Sequence, residues 1–128
     1  METLTDKNRR LIASLYRAAT AGDQAHVAAL MAPDLILHEP LFLKYGGTYQ
    51  GAASLQQAMI AISQFVAYDT LTMQYLVADG DKVFAAVQVQ EKETGHLLQM
   101  AEEFTIQNGK IVEMKVFFFD AGSLLKIQ

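Results

Sequence analysis

The sequence contains no cysteine, which removes disulfides, thiolate catalysis and cysteine-ligated zinc or iron–sulfur sites together. Charge is sparse: only 19% of the 128 residues are Asp, Glu, Lys or Arg, and the net charge is −4. A chain with so little positive charge is a poor candidate for nucleic acid or for a polybasic membrane surface. Long hydrophobic runs are missing as well. Runs such as those near Val83–Val87 and Val116–Phe119 are far short of a membrane span. The opening Met1-Glu2-Thr3-Leu4-Thr5-Asp6 is acidic and has no apolar stretch of the kind a secretory signal needs. Proline occurs twice, at Pro33 and Pro40, and each marks a break in a local pattern. Against these absences, 52% of the residues are hydrophobic, enough to fill the core of one ordinary domain. The expected product is a single, soluble, cytoplasmic domain spanning residues 1–128.

The hydrophobic period organises the chain. Leu4, Leu11, Leu15, Ala18 and Ala19 recur at helical spacing, with Ile12 and Tyr16 beside them and Lys7, Asn8, Arg9 and Arg10 on the wet side. A helix over 4–21 follows, stopped by Gly22. Asp23 caps a second helix through about Met31, and Pro33-Asp34 ends the helical pattern. Residues 34–40 read as a strand and 41–51 as a loop. A third helix covers roughly 52–67, with Leu55, Met59, Ile62 and Val66 as its buried stripe. The period then changes to two. Leu71, Met73, Tyr75 and Val77 form one row, and Val83, Ala85, Val87 and Val89 another. Asp79-Gly80, Thr94-Gly95 and Asn108-Gly109 punctuate four hairpin-linked strands, the last two near 96–106 and 110–119. Helices early and antiparallel strands late indicate an α+β fold of order α-α-β-α-β-β-β-β, a curved sheet wrapped over a long helix. Such a sheet encloses a pocket wherever its concave face is not filled.

Three stretches carry a resemblance. They are Ala21-Gly22-Asp23; Leu35-Ile36-Leu37-His38-Glu39-Pro40 with the later Tyr45-Gly46-Gly47-Thr48-Tyr49-Gln50-Gly51; and Asn108-Gly109-Lys110-Ile111-Val112-Glu113, running on to Phe119-Asp120. In these and in element order the chain resembles the SnoaL-like polyketide cyclase and ketosteroid isomerase branch of the nuclear transport factor 2-like superfamily. The resemblance implies a cone-shaped α+β barrel with a deep apolar pocket, commonly a homodimer. It also implies positions for chemistry. A catalytic acidic residue at the end of the first strand, directly before a proline, whose carboxylate moves a proton between carbons next to a carbonyl, falls on Glu39. A second acid, protonated and donating to a substrate oxyanion, falls on Glu102, or on Glu103 if the register slips by one. The first-helix tyrosine of the isomerases falls on Leu15, with Tyr16 one residue further and so about 100° around the helix.

The residues themselves support part of this. Glu39 shares a strand face with Leu35 and Leu37, and Glu102 one with Met100 and Phe104. A carboxyl on an apolar face is costly unless partnered or protonated, and a dry environment would raise its pKa toward a useful value. The plain alternatives are a wet strand-end carboxylate for Glu39 and a cross-strand ion pair with Lys115 for Glu102. His38 is the histidine nearest the expected pocket mouth and a candidate to assist, although a regular strand turns it away from Glu39. Tyr16 and Tyr45 are candidate hydroxyl donors, or simply packed rings with wet hydroxyls. Met59, Met100, Phe104, Met114, Val116 and Phe118 are expected to wall the pocket, methionine suiting an adaptable apolar site. The Gly46–Gly51 stretch lacks the Lys-Ser/Thr of a phosphate loop. Adjacent His38 and Glu39 diverge on a strand, no closely spaced histidine pair exists and cysteine is absent, so no metal is expected; no other cofactor is expected either. Phe117 and Phe119 belong to the opposite row of the last strand, where exposed aromatics call for a cover and hence a homodimer. The expected activity is proton-transfer chemistry of isomerase, cyclase or hydrolase type on an apolar carbonyl compound. The alternative is a non-catalytic module binding a lipophilic ligand or another protein.

Overall fold

In the computed structural model, which describes residues 1–121 and Leu124, the chain begins with a helix, α1 (Leu4–Ala21). Thr3 and Asp6 close a capping box at its start, and Gly22 ends it with φ +75°, a left-handed conformation that glycine adopts without cost. The buried face of α1 is Asn8, Ile12, Leu15, Tyr16 and Ala18, while Leu4 is 60% exposed. Asn8, expected on the wet side, is buried because its side-chain amide donates to the Gly80 carbonyl at 2.8 Å. That bond pins α1 to a hairpin 72 residues away. A short helix α2 (Gln24–Ala29) follows, capped by Asp23.

Six strands form one sheet in the order β2-β1-β6-β5-β4-β3. They are β1 (Met31–Glu39), β2 (Gly47–Gln50), β3 (Val66–Asp79), β4 (Lys82–Glu91), β5 (Leu97–Gln107) and β6 (Lys110–Asp120), with α3 (Ala52–Ser63) between β2 and β3. All neighbouring pairs are antiparallel except β1 and β6, which run parallel. The fold is therefore α+β with a mostly antiparallel sheet, as expected, and three corrections apply. The loop over 41–51 contains β2, whose short ladder with β1 pairs Ile36 with Gln50 and Glu39 with Gly47. β1 starts at Met31, before Pro33, because the proline sits in a register shift between Met31 and Ile36, where no ladder bond is asked of it. α3 ends at Ser63, because Val66 pairs with Glu91 and opens β3 instead of a last helical turn.

Bulges change which residues face inward. Between Met73 and Tyr75 the β3 register shifts, so Leu76 and Ala78 face the core and Tyr75 and Val77 are exposed. On β6, Ile111 pairs with Ile106 but Glu113 pairs with Thr105, leaving Val112 as the extra residue. Ile111, which simple alternation from Phe117 and Phe119 places in the outer row, is fully buried as a result. The main core runs from Ile12 and Leu15 of α1 through Val83, Ala85 and Val87 of β4 to Phe104 and Ile111. No helix among the described residues is long and apolar enough to cross a membrane.

Candidate functional site

The concave side of the sheet is not completely filled. A cavity of about 110 Å³ remains between it, α1 and α3. β1 alternates regularly in its second half, so Leu35, Leu37 and Glu39 point inward and Ile36 and His38 outward. Glu39 reaches the cavity with only 8% of its surface exposed. β5 contributes Met100 and Glu102, and β6 contributes Met114, Val116 and Phe118, with Glu102 opposite Val116 in the ladder. Glu103 faces the other way and pairs in register with Lys115, so the choice between the two glutamates falls to Glu102. Met59 enters from α3, and Tyr45 from the segment before Gly46.

Tyr16 stands on the inner side of α1, and its hydroxyl donates to Glu102 Oε1 at 2.5 Å. Leu15 lines the same cavity, so the one-residue offset in α1 does not keep a tyrosine from the site. Two expectations are corrected. His38 lies on the outer face, its Nε2 2.8 Å from Glu113 Oε2 and its Nδ1 3.2 Å from Thr48 Oγ1, because strict alternation separates it from Glu39. Phe104 shares the inward row of β5 but does not line the cavity. It is fully buried in the packed end of the core, edge-on to the Tyr16 ring at 6.1 Å.

Sequence reasoning overlooked Tyr68, a further phenol in the cavity wall. The signal was its period-two relation to Val66, hidden by extending α3 to residue 67. Val27 of α2 and Met31, the first residue of β1, also line the cavity and carried no pattern of their own.

The electrostatics follow from composition. Among the described residues no Lys, Arg or His lines the cavity, so two carboxyls share a site without a cation. Burial, and secondarily the charge of Glu102, raises the Glu39 pKa to about 8. Burial also raises Glu102, to about 7, against the Tyr16 hydrogen bond, which favours the ionised form. Tyr16, Tyr45 and Tyr68 are all pushed above the ordinary phenol value, chiefly by burial and then by nearby carboxylate charge. They are hydrogen-bonding groups at any physiological pH. Two carboxyls so placed hold about one proton between them near neutrality, which leaves one acid and one base in a water-poor space.

The sequence matches the SnoaL-like domain model over residues 12–114, and the chain belongs to that family. Among curated proteins no sequence matches it. Its fold is shared with Bal32a, from a soil-derived mobile gene cassette, at a TM-score of 0.82 and 14% identity, covering 92% of this chain and 93% of that one. A nuclear transport factor 2-like protein from Burkholderia xenovorans aligns at 0.74 and 21% identity over 95% of both chains. A candidate ketosteroid isomerase from Kribbella flavida aligns at 0.73 and 19% identity, over 91% of this chain and 81% of its own. At such identities the likeness concerns the fold.

Proposed function

We propose that the protein is an enzyme that moves a proton on an apolar, carbonyl-bearing small molecule. The observation that carries this reading is the convergence of Glu39 and Glu102 on one cavity, with the Tyr16 hydroxyl 2.5 Å from Glu102. Tyr16 supports the ionised form of Glu102, whereas among the described residues no side chain donates to Glu39. Glu102 is therefore the carboxylate and Glu39 the carboxylic acid, the reverse of the division that the family resemblance implies. In the proposed step Glu102 takes a proton from the carbon beside the carbonyl. Glu39 donates a hydrogen bond to the oxygen on which charge develops, and Glu102 returns the proton to another carbon.

The test begins with enones, β-keto esters and epoxides as substrates. Glu102→Gln and Glu39→Gln keep nearly the same volume but remove a titrating group. Each should bind ligand about as well as the parent while turnover falls on the order of 10²–10⁴-fold. A second reading, a non-catalytic carrier for a lipophilic molecule, is supported by the aliphatic, methionine and aromatic side chains that make up most of the wall. Tight binding in a dye-displacement assay with no turnover of any of these compounds would decide for the carrier.

A further inference from the structure

The cavity at the two glutamates is small. At about 110 Å³ it lies well under the roughly 300–1,000 Å³ of sites that enclose a whole drug-sized ligand. A second and larger hollow, about 920 Å³, opens beside it between α2, α3 and the start of β1. The two adjoin: Val27, Met31, Leu55, Met59 and Tyr68 face both and form the neck where they meet. Two of these five are methionines, whose unbranched side chains rearrange at little cost. Beyond that neck the groove is lined by Ala28 of α2, Pro33 of β1 and Ile60 of α3, with Gln56 and Ser63 at hand. Ile60 is 58% exposed, an apolar side chain left open to water in a hollow that leads to the site. Among the described residues no Lys, Arg or His lines either space, and no charged side chain lines the groove.

We infer that the ligand is an uncharged amphiphile whose carbonyl head sits at Glu39 and Glu102 and whose apolar chain passes the Val27–Met59–Tyr68 neck into the groove between α2 and α3. The inference deepens the proposed function and rests on it. Charge decides the head and the tail alike. A carboxylate or phosphate on the ligand would meet two carboxyls at one end and find no cation along the groove. Volume decides the shape, since the inner cavity accommodates a head group and the groove the remainder. The side chains that the two spaces share, two of them adaptable methionines, tie the groove to this ligand instead of to a separate partner.

The test is a binding series of methyl n-alkyl ketones, from hexyl to tetradecyl chains, titrated calorimetrically. In the parent protein affinity should rise about fourfold per added methylene, the gain from burying one more CH₂, beyond the length the inner cavity can hold. Ala28→Trp fills the groove, and Ile60→Asp places a charge in it. In both variants the short ketones should bind as in the parent while the gain with chain length stops. Ile60→Asp alters an exposed position and serves if Ala28→Trp fails to fold. A parent series that levels off at short chains would overturn the inference and leave the proposed function standing. Variants that keep the full slope would overturn it too. If Ala28→Trp changes the sedimentation behaviour and leaves the slope intact, a second copy covers the groove and the inference falls. If no ketone of any length binds, the proposed function fails and takes the inference with it.

Discussion

At the scale of single residues, the decisive contact is Tyr16 to Glu102. The phenol donates to a carboxylate at 2.5 Å in a space with no cation, so it is the one described group that favours charge there. Removing it has a calculable sign. Tyr16→Phe deletes a hydrogen bond to the ionised form of Glu102, so that form becomes less favourable and the pKa rises further from about 7. A hydrogen bond to a charged group is worth roughly 1.5–3 kcal/mol, and about 1.4 kcal/mol corresponds to one pKa unit, so a rise of about one unit or more is expected. Carboxyl carbon shifts in a ¹³C-glutamate-labelled sample, followed against pH, would read it directly. No upward movement would show that Tyr16 does not control which glutamate carries the charge. His38 makes the complementary point. Its exchange of hydrogen bonds with Glu113 and Thr48 is an outer-face arrangement, one residue and one half-pleat away from the chemistry.

At the scale of elements, the segment from Pro40 to Gly46 sets Tyr45 over the cavity. It is a tight double turn, with the Leu43 amide donating to the Pro40 carbonyl and the Gly46 amide to the Leu43 carbonyl. A Cβ on Gly46 would lie 2.0 Å from the Pro40 carbonyl oxygen, inside hard contact. Gly46→Ala therefore forces the backbone apart. A stability loss of about 1–3 kcal/mol is expected from the overpacking, together with displacement of Tyr45. Urea denaturation measures the first, and weaker ligand binding the second. An unchanged urea midpoint would mean that the turn adjusts freely. The hairpins behave differently because their requirements are local. Asn108 and Gly109 adopt φ +53° and +73°, the positive values that a two-residue turn demands and that these residue types tolerate. The bulges are not local in this sense. In β3 the register also shifts between Ala67 and Thr72, where Thr70 donates to the Ala67 carbonyl and accepts from the Gln90 amide of the neighbouring strand. No period-two count through residues 66–77 foresees it.

At the scale of the whole molecule, two consequences follow. The first concerns pH. Glu39 and Glu102 have folded-state pKa values of about 8 and about 7, above the ordinary carboxyl value of 4.5. Between those limits the native state binds more protons than the unfolded state. The stability these groups contribute is complete below about pH 4.5 and is lost as pH rises through 7 and 8. The melting temperature should fall from pH 5 toward pH 9, and the Glu39→Gln, Glu102→Gln double variant should flatten that slope. Calorimetry across the range checks both statements, and a parallel slope in the variant would contradict the burial argument. The second concerns assembly. Phe84 and Phe117 stack at 6.4 Å on the outer sheet face, and Phe119, the extra residue of a bulge, is 86% exposed beside Asp120. With Tyr75 and Val77 also exposed on outward positions, the convex face carries a row of uncovered apolar groups. We propose that a second copy covers it. Sedimentation equilibrium at micromolar concentration should give a dimer, and Phe117→Asp a folded monomer. A monomeric parent would end the proposal.

Much of this protein was legible from the sequence because it depends on neighbours in the chain. The first helix with its glycine stop, the hairpin turns and the inward alternation that places Leu35, Leu37 and Glu39 on one face are short-range consequences of side-chain shape and backbone sterics. Glu102 was readable for the same reason, as a carboxyl in an apolar row. What lay beyond the sequence depends on long-range pairing. The parallel ladder joining β1 to β6, the register shifts that turn Ile111 inward and Tyr75 outward, and the strand β2 exist only once distant segments meet. The site belongs to this second group. Tyr16 and Glu102 are separated by 86 residues, and a one-residue offset in α1 placed the tyrosine in doubt by counting alone. Only the packing of the helix against the sheet brings that hydroxyl onto the carboxylate. The reason is that distances within a helix or strand are set by bonded geometry, whereas the distance between two elements is set by how their side chains pack.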